Sequence, residues 1–434
     1  MKPKILLATT SCWYPSARLV MALHRAGCVV DAICPQEHPL RKTRAVHRAY
    51  AYYGLSPRRS FARALAASQP DLIVSGDDLA TRHLQNLYAA EKRRGNASLC
   101  ALIERSFGDP GSFPVVSARA AFMELAAKEG VRVPATEVVH NPAELKACIG
   151  RVGLPAALKA DGTSGGDGVR IVHTLAEAER AFAKLHSPPL LARAAKRALV
   201  DHDNTLLWPS LTRQRPLVNA QAFVAGSEAT SALFCWQGSV LASLHFEVIN
   251  KASSAGHATV LRLLENAEMQ AAAEAVVSRL HLSGLYGLDF MIESETGNAF
   301  LIEINPRATQ VGHLSLGPGR DLPAALHAAL CAQGAAANGA IPAAEKVTEN
   351  DTIALFPQEW IRDPESPYLR SAYHDIPWEE PELVQDCVSN RQKQSGWYRR
   401  KGTAAAASKS APSPPVRRVS APASDASKNL SVIQ

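Results

Sequence analysis

Two carboxylates, an amide and a guanidinium recur at short spacing in YGLDFMIESETGNAFLIEINPRATQVGH, residues 286–313. GLDFMI and AFLIEIN alternate apolar with small or acidic residues, and SETGN between them has turn chemistry. The pattern predicts two strands joined by a tight connection. A turn centred on Thr296, with a five-residue loop and Gly297 at its end, sets Asp289 opposite Glu303. Asn305 follows Glu303 by two residues, so both side chains leave the same face of the strand. Oxygen-only ligands of this kind suit a hard cation such as magnesium or manganese.

An exposed edge hairpin would carry the same acids with no ligand at all. Asn305-Pro306-Arg307 weighs against that, because the proline stops the strand and leaves a bidentate phosphate binder beside the carboxylates. The hairpin needs a partner elsewhere, and LPAALKADGTSGGDGVRIVHT (154–174) offers one. AALKA and VRIV read as antiparallel strands around a glycine-rich hairpin loop. Four glycines within 162–168 let backbone N–H groups close over phosphates, and Lys159 can reach them. A flexible tip with no ligand is the alternative. The loop is neither a GK[ST] loop opening a helix nor a dinucleotide-binding turn.

The rest of the chain must position these two hairpins. Residues 4–110 alternate strand and helix signals, from KILLATT and ARLVMALHRAG through VVDAIC, SFARALAASQ and DLIVS to ATRHLQNLYAAEKRRG. That order predicts a small parallel sheet with helices on its faces, without GxGxxG after the first strand. Ligands of such sheets lie beyond the carboxyl ends of the strands, here Ser11–Ser16 and Gly76–Asp78. Asp77 and Asp78 also suit a helix cap, and the cap carries more weight. A helix from Ser117 to about Lys128 follows, and residues 217–248 form a run of strands turning at Gln237-Gly238. The Pro- and aromatic-rich patch at 351–388 reads as an arm packed on the body. The Ala/Ser/Pro/Lys composition from about Gly402 predicts a disordered tail.

Composition narrows the function. The 434 residues are 47% hydrophobic and 20% charged, as in ordinary globular chains. The net charge of +7 is uneven: five basic residues against Asp425 after Arg400 hold more than half of it. With no basic stripe or interleaved aromatics, nucleic acid is not an expected partner. Eight cysteines show no CxxC and no zinc spacing, which reads as reduced core thiols. No apolar run is long enough for a signal peptide or a membrane span. The expected location is the cytoplasm, without membrane partners, and a homodimer is the commonest assembly for such a chain.

A glycine-rich hairpin after a Lys-bearing strand, followed at a distance by D…E-x-N-P-R, resembles the ATP-grasp superfamily over roughly residues 1–335. The resemblance implies a mixed α/β and α+β architecture: an N-terminal open parallel α/β domain, 1–112, before a two-subdomain grasp, 113–340. The small subdomain would run 113–190 and the large one 191–340, followed by a docked arm at 341–400 and the tail at 401–434. ATP and two magnesium ions, or manganese, are the implied cofactors. Asp289, Glu303 and Asn305 match the metal ligands, with Glu303 bridging, and Arg307 matches the arginine beside the transferred phosphate. Lys159 matches a basic residue on the α/β-phosphates, and Ser164, Gly165, Gly166 and Gly168 match the loop above them. Arg119 falls where the first basic residue is placed, although the usual preceding Asp is Ala118 here. QAFVAGSEA resembles the adenine segment, with Gln221, Ala222, Phe223 and Val224 at the base and Glu228 near the ribose. His257 resembles a histidine of the carbamoyl-phosphate and biotin carboxylase branches.

The implied activity is a two-step ligation. A carboxylate takes the γ-phosphoryl group of ATP, and an amine or similar nucleophile then displaces phosphate. Carboxylation or carbamoyl-phosphate chemistry with partner subunits, and a nucleotide-binding regulatory protein without turnover, stay open beside it. The small-molecule carboxylate and amine would be chosen by residues such as Trp13, Tyr14, Arg18, Asp77 and Thr309–His313.

Overall fold

Every residue of KILLA after Lys4 is apolar, which suits a strand covered on both faces. In the computed structural model, Ile5 and Leu7 enter one buried cluster while Leu6 and Ala8 enter another. The structure describes residues 2–162, 168–200, 206–253, 256–332 and 346–389. The first sheet is parallel, in the order β3-β2-β1-β4, from β1 (Lys4–Ala8), β2 (Val29–Cys34), β3 (Val46–Ala51) and β4 (Leu72–Ser75). The helices α1 (Pro15–Arg25), α2 (Pro57–Ser68), α3 (Asp78–Arg93) and α4 (Ala97–Phe107) accompany it. The sequence pattern gives no warning of β3, because VHRAYA carries His47 and Arg48 on an edge strand. Asp77 caps α3 by accepting from Ala80 N at 2.8 Å. Its carboxylate also accepts from Thr9 Oγ1, Thr10 N and Thr10 Oγ1, tying the loop after β1 to the loop after β4.

The second sheet has the order β5-β8-β6-β7, from β5 (Thr136–Val139), β6 (Ala156–Ala160), β7 (Val169–Val172) and β8 (Val218–Ala222). Leu158, Val172, Val218 and Ala220 bury one face against the helices Pro142–Val152 and Leu175–Leu185. By alternation Lys159, Asn219 and Gln221 leave the other face. Hydrogen bonding puts β8 between β5 and β6. We therefore place the subdomain division after Ala222 rather than at 190/191.

The third sheet runs β13-β12-β9-β10-β11-β14-β15. Its strands are β9 (Gly226–Trp236), β10 (Ser239–Lys251), β11 (Ala258–Leu263), β12 (Gly284–Glu293), β13 (Ala299–Asn305), β14 (Thr352–Ala354) and β15 (Tyr373–His374). One face holds Leu233, Leu288, Phe290 and Leu301 against the helices Arg119–Lys128 and Ala267–Leu280. The other packs Phe234, Leu244 and Phe246 toward Ile5, Leu7 and Val30 of the first domain. The expected arm is more than a docked segment: β14 extends the sheet antiparallel to β11, and β15 adds parallel to β14. The tail at 401–434 lies outside the described residues.

Candidate functional site

The hairpin β12–β13 opposes Asp289 and Glu303, but by a different path from the simple turn. Ile292 pairs with Ala299 and Phe290 with Leu301, a register that would carry Asp289 to Ile302. A β-bulge between Phe290 and Asp289 restores the acid pair. Bulges re-aim side chains in this way beside functional sites. On the neighbouring strand Thr230 stands level with Asp289 and donates Oγ1 to its Oδ1 at 2.8 Å. Asn305 Nδ2 donates to Asp289 Oδ2 at 2.9 Å, while Asn305 Oδ1 accepts from Arg307 Nη2 at 3.1 Å. One donor to an acid and one acceptor from a guanidinium fix which way the amide points. The amide oxygen assigned to a cation from sequence is thus held by Arg307.

The Asn305-Pro306-Arg307 turn sits on the carboxyl edge of the first sheet. Ala308 N donates to Ser75 O at 2.9 Å and Thr81 Oγ1 to Pro306 O at 2.7 Å. Arg307 Nε reaches Asp78 Oδ1, the first residue of α3, at 3.2 Å. Two domains therefore set this guanidinium. Burial, reinforced by Glu303, pushes the Asp289 carboxyl above the usual range.

On the small sheet, Lys159 is buried, and burial together with Arg119 lowers its ammonium to about 8, opposed by Glu303, Asp289 and Glu228. Arg119, at the start of the helix Arg119–Lys128, donates Nη2 to Glu303 Oε1 at 2.5 Å. Its Nη1 lies 3.7 Å from Asp161 Oδ1, and Asp161 accepts from Asn219 Nδ2 at 2.8 Å. Burial raises the Asp161 carboxyl against the pull of Arg119. Gly168 closes the glycine hairpin by accepting from Ala160 N, whereas Ser164, Gly165 and Gly166 lie outside the described residues. No group of three or more His, Cys, Asp or Glu able to hold a metal occurs among the described residues. The oxygen set is instead two carboxylates with an amide beside them. It fits a hard cation, which would relieve the like-charge pressure on Asp289.

A family profile described as ATP-grasp domain matches residues 198–311. No curated protein matches the chain in sequence. Among solved structures, carboxyaminoimidazole ribonucleotide synthase from Aspergillus clavatus, complexed with ATP, is 15% identical with a TM-score of 0.52. That match covers 80% of this chain and 92% of the other. The biotin carboxylase domain of Hydrogenobacter thermophilus 2-oxoglutarate carboxylase, bound to MgADP, ADP and bicarbonate, is 15% identical with a TM-score of 0.53. Here the match covers 76% of this chain and 70% of that one. L-amino acid ligase from Bacillus licheniformis gives 15% identity and a TM-score of 0.50, over 76% and 75% of the two chains. Residues 198–311 match an ATP-grasp domain, and the chain shares the fold of these enzymes.

The remaining ATP-grasp positions fall out unevenly. Gln221 spends its amide on Thr136 Oγ1 at 2.9 Å inside the small sheet. Residues 223–225 carry the chain from β8 to β9, with Phe223 exposed and Val224 buried beside Ala222. Glu228 is paired with Lys251 Nζ at 2.5 Å. His257 lies edge-on to Trp13, ring centroids 5.6 Å apart. Arg18, read from the sequence beside a substrate, is 4% exposed and ion-paired to Asp375 of the arm, which also takes His313 Nε2 at 2.6 Å. Asp161 and Thr230 are not singled out by the sequence, whereas Asp78 is read there only as a strand-end or cap residue and turns out to hold Arg307.

The close approach of the turn at Asn305–Thr309 to β12 explains Gly287. A β-carbon there would come within 2.3 Å of Thr309 Cγ2. Gly287→Ala is expected to lose about 1–3 kcal/mol of stability through overpacking. A urea midpoint unchanged from the parent chain would show that the Thr309 loop is not seated on this strand.

Proposed function

We propose that the chain is an ATP- and magnesium-dependent ligase that activates a carboxylate as an acyl phosphate and joins it to an amine or similar nucleophile. The observation that carries this reading is the convergence of Lys159, Arg119 and Arg307 on the opposed Asp289 and Glu303. Phosphoryl transfer asks a protein mainly for positioning and charge neutralisation, which these charged side chains could supply. Asp289 and Glu303 would hold magnesium, which when bound neutralises and orients the phosphates, while Asn305 steadies Asp289 and Arg307 beside them. Lys159 and Arg119 would take the phosphate oxygens nearer the nucleoside. Arg307, fixed by Asp78 and Asn305, would steady the transferred group. Residues 221–224 and Glu228 would receive the nucleoside. No helix among the described residues is long and apolar enough to cross a membrane.

The test is nucleotide release from the purified chain with pooled carboxylates and amines. ADP that requires magnesium, a carboxylate and an amine is the expected result. AMP and pyrophosphate would replace the acyl phosphate with adenylation and overturn the reading. Bicarbonate belongs in the carboxylate pool, because the biotin carboxylase domain described above holds it. ADP release with bicarbonate alone would favour the carboxylation reading over amide formation.

A further inference from the structure

Arg119 is placed more deeply than a phosphate-seeking arginine needs to be. Its side chain is 9% exposed and its Nη2 sits 2.5 Å from Glu303 Oε1. Nε and Nη1 are buried with no hydrogen-bond partner. A guanidinium has five donors in a fixed fork and is poorly satisfied by one carboxylate oxygen. Glu303, for its part, is 32% exposed and faces Asp289 across the hairpin, and two facing carboxylates are relieved by positive charge beside them.

We propose that Arg119 is the internal counter-cation of the Asp289–Glu303 pair, exchanged from Glu303 to nucleotide phosphates only when a divalent cation takes its place. The inference rests on the nucleotide-site reading above. A divalent cation arriving alone must displace Arg119 from Glu303 and leave a buried guanidinium with only Asp161, 3.7 Å from Nη1, as its anion, which is unfavourable. A nucleotide arriving alone meets an arginine still held by Glu303. Together they satisfy both sites, because the cation takes the carboxylates while the phosphates take Nε, Nη1 and Nη2. Cation and nucleotide then bind with positive coupling, and the coupling is reciprocal. Asp161, 3.7 Å from Nη1, keeps the guanidinium on the cleft side during the exchange.

The experiment measures Mn2+ binding by loss of the free-ion electron paramagnetic signal, and ADP binding by calorimetry, each with and without the other. Wild-type protein should bind Mn2+ weakly alone and, beyond the Mn2+–ADP association measured without protein, at least about tenfold more tightly with ADP. Arg119→Met should bind Mn2+ alone about tenfold more tightly than wild type and lose most of the coupling. Glu303→Gln should bind ADP in excess chelator more tightly than wild type, since its arginine is released. Both are gains of affinity, which a damaged fold does not produce. No gain in either variant overturns the exchange while leaving the nucleotide site standing. A wild-type chain that binds ADP under neither condition removes the nucleotide reading and the exchange with it.

Discussion

Arg307→Ala is expected to lower magnesium-dependent ADP release by at least about 100-fold, the scale of losing one preorganised charge stabiliser. The protein should stay folded. The turn that bears Arg307 is anchored by backbone groups, Ala308 N on Ser75 O and Thr81 Oγ1 on Pro306 O, and neither bond involves the guanidinium. The substitution leaves Asp78 unpaired, but its side chain is 37% exposed and water can serve it. Arg307→Lys should recover little, because a single ammonium cannot span Asp78 and Asn305 Oδ1 and still present a donor to phosphate. Turnover and thermal unfolding measured on the same preparations separate the two effects. Parental ADP release in Arg307→Ala would remove this residue from the site.

Both hairpins were legible because their signals are local. Period-two alternation, a turn and a proline fix β12–β13, and four glycines between two short strands fix β6–β7. The opposition of Asp289 and Glu303 was read correctly from the wrong register. A five-residue loop and a shifted pairing corrected by a bulge put the same residues across from one another, and only coordinates tell them apart. The sheet membership of β8 was not legible, since its partners β5 and β6 lie well upstream in the chain. The arm was harder still. β14 has three residues and β15 two, too short for any periodicity, and their place is decided by a free edge on β11. Arg18 looked like a substrate contact because its counter-ion stands 357 residues away.

That distant pair carries the largest expected change in stability. Asp375 is 1% exposed and accepts from Arg18 Nη2 and from His313 Nε2. It joins the arm, α1 and the loop beyond Arg307 at one buried point. Asp375→Ala leaves the Arg18 guanidinium buried without an anion, and breaking such a pair costs about 3–5 kcal/mol. A double replacement by apolar residues, Arg18→Met with Asp375→Leu, should recover much of that loss, because no charge remains to be compensated. Acid supplies an independent check. Burial alone would raise the Asp375 carboxyl, but His313 and Arg18 outweigh it and bring it down to about 2. Burial lowers the His313 imidazole against the opposing pull of Asp375. A carboxyl depressed on folding contributes stability fully above its unfolded value of about 3.9, and the contribution is lost as pH falls toward about 2. Urea midpoints should therefore drop more steeply between pH 4 and pH 2 in the parent chain than in Asp375→Ala. Parallel profiles in that window, or an Asp375→Ala midpoint equal to the parent's at pH 7, would mean that the arm is held by its β14 pairing and apolar packing instead.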